Sequence, residues 1–111
     1  MNIDTTAKVY PKVRIGKGST IGEFSVIGKP SVPVQNKQFG SEGKTIIGEN
    51  CYIGSHVIIG RGTAIGDRCT IEDGSKVDVD CKLGSKSHLL YRAYIDNNVI
   101  IGDSSIIGGF I

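Results

Sequence analysis

The 111-residue chain has few side chains equipped for chemistry. It holds two histidines, His56 and His88, and three cysteines, Cys51, Cys69 and Cys81. An imidazole is the side chain best matched to proton transfer near neutral pH. His88 is the better candidate for a general base, because it directly precedes an aliphatic position and its ring is expected on a flat outer face. His56 is expected on a corner. Asn97 can hydrogen-bond a carbonyl or hydroxyl but cannot accept a proton at neutral pH. With Arg61 and Lys17 it forms the candidate substrate-binding set. The odd cysteine count and the lack of zinc-ribbon spacing argue against a disulfide framework or a metal site. The thiols read as small packing residues.

A period of six positions these residues. From Ile3 the chain divides into IDTTAK, VYPKVR, IGKGST, IGEFSV and IGKPSV, and from Ile47 into eleven further frames. The first position is Ile, Val or Leu in all sixteen frames, the second is Gly in ten, and the fifth is Ala, Ser, Thr, Val or Cys in fifteen. This accounts for a chain with 17 isoleucines and 16 glycines but only three leucines, a balance that disfavours helices. An inward aliphatic residue every six, flanked by outward neighbours, suits a short strand followed by a corner. The fifth position packs inside the corner, and the third and fourth make the turn. Gly18, Gly62, Gly74, Asn50 and Asn98 at the fourth position suit a positive φ. Three sides close a coil of 18 residues, and coils stack about 4.8 Å apart. The expectation is a single all-β solenoid domain over residues 1–111, with roughly five and a half coils.

One segment, residues 33–46, breaks the period. It is polar, contains glycine and reads as a surface excursion, either a plain insertion or a functional loop. Counting Ile27 to Ile47 as two steps makes the excursion about eight residues long and substitutes it for one side of the second coil. On that count Lys17, Arg61 and Asn97 share the corner where the excursion emerges. Val26, Tyr52, Thr70, His88 and Ile106 line one outward column, with Tyr10 and Leu90 on the same face. Such an apolar, aromatic face calls for a cover.

Lys and Arg number 13 and Asp and Glu 11, for a net charge of +2 without a basic run, so nucleic acid is not an expected partner. No apolar stretch approaches the ~20 residues of a membrane span, and MNIDTTAKVY is unlike a signal peptide. A cytoplasmic protein without a membrane partner is expected.

The sixfold frames resemble the left-handed parallel β-helix of the hexapeptide-repeat superfamily over nearly the whole chain. The left hand follows from that resemblance alone, since parallel crossovers are generally right-handed. The resemblance implies a homotrimer, and an acyltransferase moving an acetyl or acyl group from a thioester donor such as acetyl-CoA to a small polar acceptor such as a sugar. Sugar-nucleotide and lipid A acyltransferases carry His-Asp-Cys before an I-G-D frame. The matching stretch here, Ile95-Asp96-Asn97-Asn98-Val99-Ile100-Ile101-Gly102-Asp103, places Asn97 at the histidine and Asn98 at the aspartate. Ile106 stands where the sugar enzymes often keep a further histidine. The family's base is thus missing from its position, leaving His88 as the catalytic residue the chain itself offers.

Ile71-Glu72-Asp73-Gly74 is similar to a segment of the γ-class carbonic anhydrases. However, two further ligand positions fall on Lys86 and Tyr91, and two histidines cannot supply three zinc ligands. The alternative to an enzyme is a non-catalytic trimeric scaffold or a fragment of a longer transferase. The motif still runs at Ile111, which is expected to need a cap.

Overall fold

The computed structural model describes residues 1–31, 33–34, 37–38 and 43–111. Every regular element among them is a short strand, and none is a helix long and apolar enough to cross a membrane. The strands wind into a three-faced parallel solenoid of about five turns. On the first face stack β1 (Asn2–Ile3), β4 (Thr20–Ile21), β9 (Tyr52–Ile53), β12 (Thr70–Ile71), β15 (His88–Leu89) and β18 (Ile106–Ile107). The second face holds β2 (Lys8–Val9), β5 (Val26–Lys29), β10 (Ile58–Gly60), β13 (Lys76–Val77) and β16 (Tyr94–Ile95). The third holds β3 (Val13–Ile15), β8 (Thr45–Ile47), β11 (Ala64–Ile65), β14 (Lys82–Leu83) and β17 (Ile100–Ile101).

First-position residues such as Ile21, Ile27, Ile53, Ile59, Ile71, Leu89 and Ile95 fill the interior and are essentially inaccessible. Fifth-position hydroxyls and thiols line the inside of the corners. Ser19 Oγ donates to the Gly48 carbonyl at 2.7 Å and accepts the Cys51 N–H at 2.9 Å, and Cys51 and Cys69 continue that column by donating to the Gly66 and Gly84 carbonyls. A buried polar atom is tolerated here because each finds a backbone partner. All three thiols are buried and free. Burial pushes the Cys81 thiol up, and the hydrogen bond with Cys51 together with burial pushes Cys69 up.

The corners depart from the glycine expectation. Fourth-position Gly18, Gly62, Gly74, Asn50 and Asn98 do take positive φ, but so do Lys12, Phe24, His56, Arg68, Asp80, Lys86, Arg92 and Ser104. A left-handed conformation costs a non-glycine residue roughly 1–2 kcal/mol. Bonds between coils offset it, as where Arg68 N–H donates to the Glu49 carbonyl and Lys86 N–H to the Asp67 carbonyl, both at 2.8 Å.

The break in the period also differs from expectation. Ile15 pairs with Ile47 on the third face, and Ile27 lies on the second, so the chain makes one step from Ile27 to Ile47. No side is lost, and the excursion adds fourteen residues to a six-residue step. Residues 32, 35, 36 and 39–42 of this segment lie outside the described residues. Pro33–Val34 (β6) pairs antiparallel with Lys37–Gln38 (β7), while Thr45 and Ile46 already belong to β8. Before the excursion, Gly28, at φ 82°, forms a bulge: Ile27 pairs with Ile59, but Lys29 pairs with Gly60.

Two stability measurements check this account. Ile71→Ala should lower the unfolding free energy by about 3 kcal/mol, whereas Arg68→Gly should raise it by about 1 kcal/mol, both read by urea denaturation. The raised Cys81 thiol favours the neutral form in the folded state, so its contribution is complete below the ordinary thiol value of 9.0 and is lost as pH rises beyond it. Denaturation midpoints should fall as pH rises through 9.0 and beyond, and Cys81→Ser should reduce the fall.

Candidate functional site

His88 stands on the outer side of the first face, stacked between Thr70 and Ile106. Its Nε2 lies 2.5 Å from Glu72 Oε2, with both side chains a little over one-third exposed. It is the only ion-pairing contact among the described residues. Glu72 occupies a second position, where the repeat places glycine in ten frames, so this carboxylate is a departure from the pattern. A carboxylate against an imidazole fixes the ring's orientation. Sequence reading missed Glu72 as the partner. The available signal was its spacing of sixteen residues, one coil less two positions, from His88.

The column through His88 is Asn2, Thr20, Tyr52, Thr70, His88 and Ile106. Val26 does not belong to it: it pairs with Lys8 and Ile58 on the second face, beside Tyr10. Both displacements follow from the excursion interrupting a single step. Tyr52 and Ile106 remain well exposed, at 51% and 72%. His56 sits at a corner and stacks on Phe24 with ring centroids 5.2 Å apart.

Lys17, Arg61 and Asn97 are not one column. Lys17 follows β3 and turns with Glu49, Asp67, Ser85 and Asp103 at the corner between the third and first faces. Arg61 and Asn97 turn at the corner between the second and third faces, where Lys29 takes the place expected for Lys17. A cleft of about 210 Å³ opens there, lined by Lys29, Ile58, Lys76, Asp78, Val79 and Asn97, with Pro30 and Ser31 at the start of the excursion. Arg61 adjoins it and donates its N–H to the Lys29 carbonyl at 2.8 Å.

This corner is built differently from the others. At the third-to-first corner, side-chain oxygens of Asp67, Ser85 and Asp103 accept N–H groups of Glu49, Asp67 and Ser85 one coil away. Asp73 does the same for Ser55 at the first-to-second corner. At the second-to-third corner, Asp78 and Asp96 occupy second positions and accept the N–H of their own neighbours, Val79 and Asn97, at 2.8 Å. The third-position side chains there are released from capping. Tyr94 Oη donates to Asp78 Oδ2 at 3.3 Å, and Lys76 Nζ lies 5.7 Å from the Tyr94 ring centroid. Burial, then the Asp78 and Asp96 charges, push the Tyr94 phenol up. Among the described residues no three His, Cys, Asp or Glu side chains gather as a metal-binding group. His88 and Asn97 lie on different sides of the prism, so one chain does not bring them together.

Residues 44–78 match the family model for the bacterial transferase hexapeptide (six repeats). The chain belongs to the hexapeptide-repeat transferase superfamily. It is 30% identical over 116 aligned residues to the acyl-(acyl-carrier-protein)–UDP-N-acetylglucosamine O-acyltransferase of Campylobacter concisus (strain 13826), an alignment covering 98% of this chain and 44% of that protein. It is 33% identical over 100 residues to the bifunctional protein GlmU of Geobacillus sp. (strain WCH70), covering 86% of this chain and 18% of the relative. The hexapeptide chain thus spans less than half the length of these curated relatives.

Two solved structures share the fold. The UDP-N-acetylglucosamine O-acyltransferase of Moraxella catarrhalis RH4 superimposes with a TM-score of 0.55 at 16% identity, covering 99% of this chain and 64% of that one. A mutant GDP-perosamine N-acetyl transferase from Caulobacter crescentus, in complex with CoA and GDP-perosamine, gives 0.53 at 19% identity, covering 96% and 52%.

The corner network makes a spectroscopic prediction. In an ultraviolet titration, one of the four tyrosines should ionise above the ordinary phenol value of 10.0. Tyr94→Phe should remove that step, and Asp78→Asn should lower it.

Proposed function

We propose that the chain is the β-helix of an acyltransferase that moves an acetyl or acyl group from a thioester donor, of the CoA or carrier-protein type, to a small polar acceptor such as a sugar. The carrying observation is the His88–Glu72 pair, a base held by a carboxylate on an open face. The names of the relatives support the reaction class, and the CoA in the perosamine enzyme's complex supports the donor class. In this reading His88 takes the proton from the acceptor hydroxyl or amine, whose oxygen or nitrogen attacks the thioester carbonyl. The tetrahedral oxyanion collapses, the C–S bond breaks, and the proton returns from His88 to the departing thiolate. Glu72 holds the ring in place through these steps. Arg61 and Asn97 contact substrate or donor from the second-to-third corner. Lys17, on a separate corner, takes part only if a second copy brings its corner alongside.

The working unit in this proposal is a homotrimer. The exposed Tyr52 and Ile106 beside His88 form the apolar surface that copies would cover. Three buried free thiols suit a reducing compartment, and we assign the protein to the cytoplasm. Asn97, at the family's histidine position, favours a second reading as a non-catalytic trimeric scaffold.

One set of measurements separates the two readings. Incubated with acetyl-CoA and a panel of amino and neutral sugars, the enzyme should release thiol. His88→Ala should cut turnover about 100-fold or more while acetyl-CoA binding by calorimetry persists. Light scattering should give three times the 11.8 kDa chain mass. A trimer with neither acetyl-CoA binding nor thiol release is the scaffold, and a monomer ends the trimer proposal.

A further inference from the structure

We infer that Cys51 and Cys69 form a redox-sensitive clamp, which a hydroperoxide oxidises to a reversible disulfide tying two adjacent coils together. The two residues are the fifth positions of successive coils at the third-to-first corner, and the residues that follow them, Tyr52 and Thr70, are direct Cα partners. The Tyr52 N–H donates to the Cys69 carbonyl at 2.9 Å, which fixes the two backbones one strand spacing apart. That spacing, about 4.8 Å, lies within the Cα separations a disulfide spans. Because stacked side chains run parallel rather than converge, the bond is strained, and strained disulfides are the readily reduced ones.

Packing by itself does not call for sulfur in this column. Ser19, Ser87 and Ser105 hold the same position in other coils. Ser19 and Ser87 donate to the Gly48 and Gly102 carbonyls as Cys51 and Cys69 donate to those of Gly66 and Gly84. The column therefore reads Ser, Cys, Cys, Ser, Ser, with the thiols side by side. Cys81 is the contrast. It stacks between Thr63 and Val99 at the second-to-third corner, and its N–H reaches the Thr63 hydroxyl at 3.1 Å.

The hydrogen bond from the Cys69 thiol outweighs burial and, with the Cys69 N–H, holds the Cys51 thiol below its ordinary value, while the same bond pushes Cys69 up. The pair thus offers one thiolate beside one neutral thiol, the arrangement that thiol oxidation uses. Both sulfurs are buried, directly beneath the exposed corner residues Glu49, Asn50, Asp67 and Arg68. Local opening of that corner admits a water-sized peroxide. The Cys51 thiolate attacks one peroxide oxygen, the O–O bond breaks, and the departing hydroxide takes up the Cys51 proton to leave as water. Cys51 is then a sulfenic acid. The Cys69 sulfur attacks the Cys51 sulfur, the S–O bond breaks, and the hydroxyl departs with the Cys69 proton as a second water. Two thiols lose two electrons, which the peroxide gains, and a dithiol reductant returns them. The inference does not rest on the acyl-transfer reading, since thiol oxidation is read without turnover.

The test exposes the folded chain to hydrogen peroxide, quenches it, unfolds it in urea with N-ethylmaleimide and maps the tryptic peptides by mass spectrometry. Peptide 45–61, which carries Cys51, should appear joined to 69–76, which carries Cys69, while 77–82 carries an alkylated Cys81. Dithiothreitol should separate the joined peptides. The Cys51–Cys69 link should form at least about tenfold faster than any link to Cys81. Cys51→Ser or Cys69→Ser should abolish it with the fold intact by circular dichroism, because serine already serves this column. Cys81→Ser should leave its rate unchanged, and oxidation in urea should lose the preference, which depends on stacked coils. The inference is overturned if all three thiols remain open to alkylation after peroxide, if Cys81 joins as fast, or if Cys51 proceeds to a sulfinic acid with no link.

Discussion

Coil-on-coil stacking at one strand spacing is the constraint on which the rest of this molecule depends. Each short strand contributes only two or three backbone bonds, and each is completed by the coils above and below, as where Thr20 N–H reaches the Cys51 carbonyl and Tyr52 N–H the Cys69 carbonyl at 2.9 Å. The close approach dictates glycine at the second position. A Cβ on Gly48 would stand 2.7 Å from the Gly66 carbonyl carbon, and one on Gly60 would stand 2.5 Å from Val79 N. It also dictates what lies inside the corners, where only a small side chain fits and a hydroxyl or thiol can bond the neighbouring backbone. The same stacking sustains so many non-glycine residues at positive φ. Local strain at each corner is offset by bonds that form only when the next coil is in place.

Against that constraint, the places where the pattern relaxes are where chemistry collects. The third face keeps glycine at every second position, Gly16, Gly48, Gly66, Gly84 and Gly102. On the first face Asp4, Glu72 and Leu90 replace it, and on the second Tyr10, Asp78 and Asp96 do so. Glu72 holds His88, while Asp78 and Asp96 free the corner that carries Arg61 and Asn97. A solenoid has few natural concavities, so such substitutions and the excursion supply the irregular surface of this one.

Legibility from sequence tracked how local each feature is. The six-residue period exposed the inward residues, the packing role of the three cysteines and the corner positions of Asn50 and Asn98, because these depend only on place within a frame. The positive φ of Phe24 and Arg68 had no local signal, since neither is a residue that seeks that conformation. The error over Lys17 and Val26 had one source: counting Ile27 to Ile47 as two steps instead of one changed which residues stack across the excursion.

By itself, the sequence determined the repeat, the three-sided coil, the identity of the core and membership of a transferase superfamily. All of these follow from spacing along the chain. Only the tertiary structure decided which coil lies over which after the excursion. That choice puts Lys29 rather than Lys17 at the corner of Arg61, and Val26 on the second face rather than in the column of Tyr52. The physical reason is register: backbone pairing of Ile15 with Ile47 sets it, and no pattern inside the excursion encodes it.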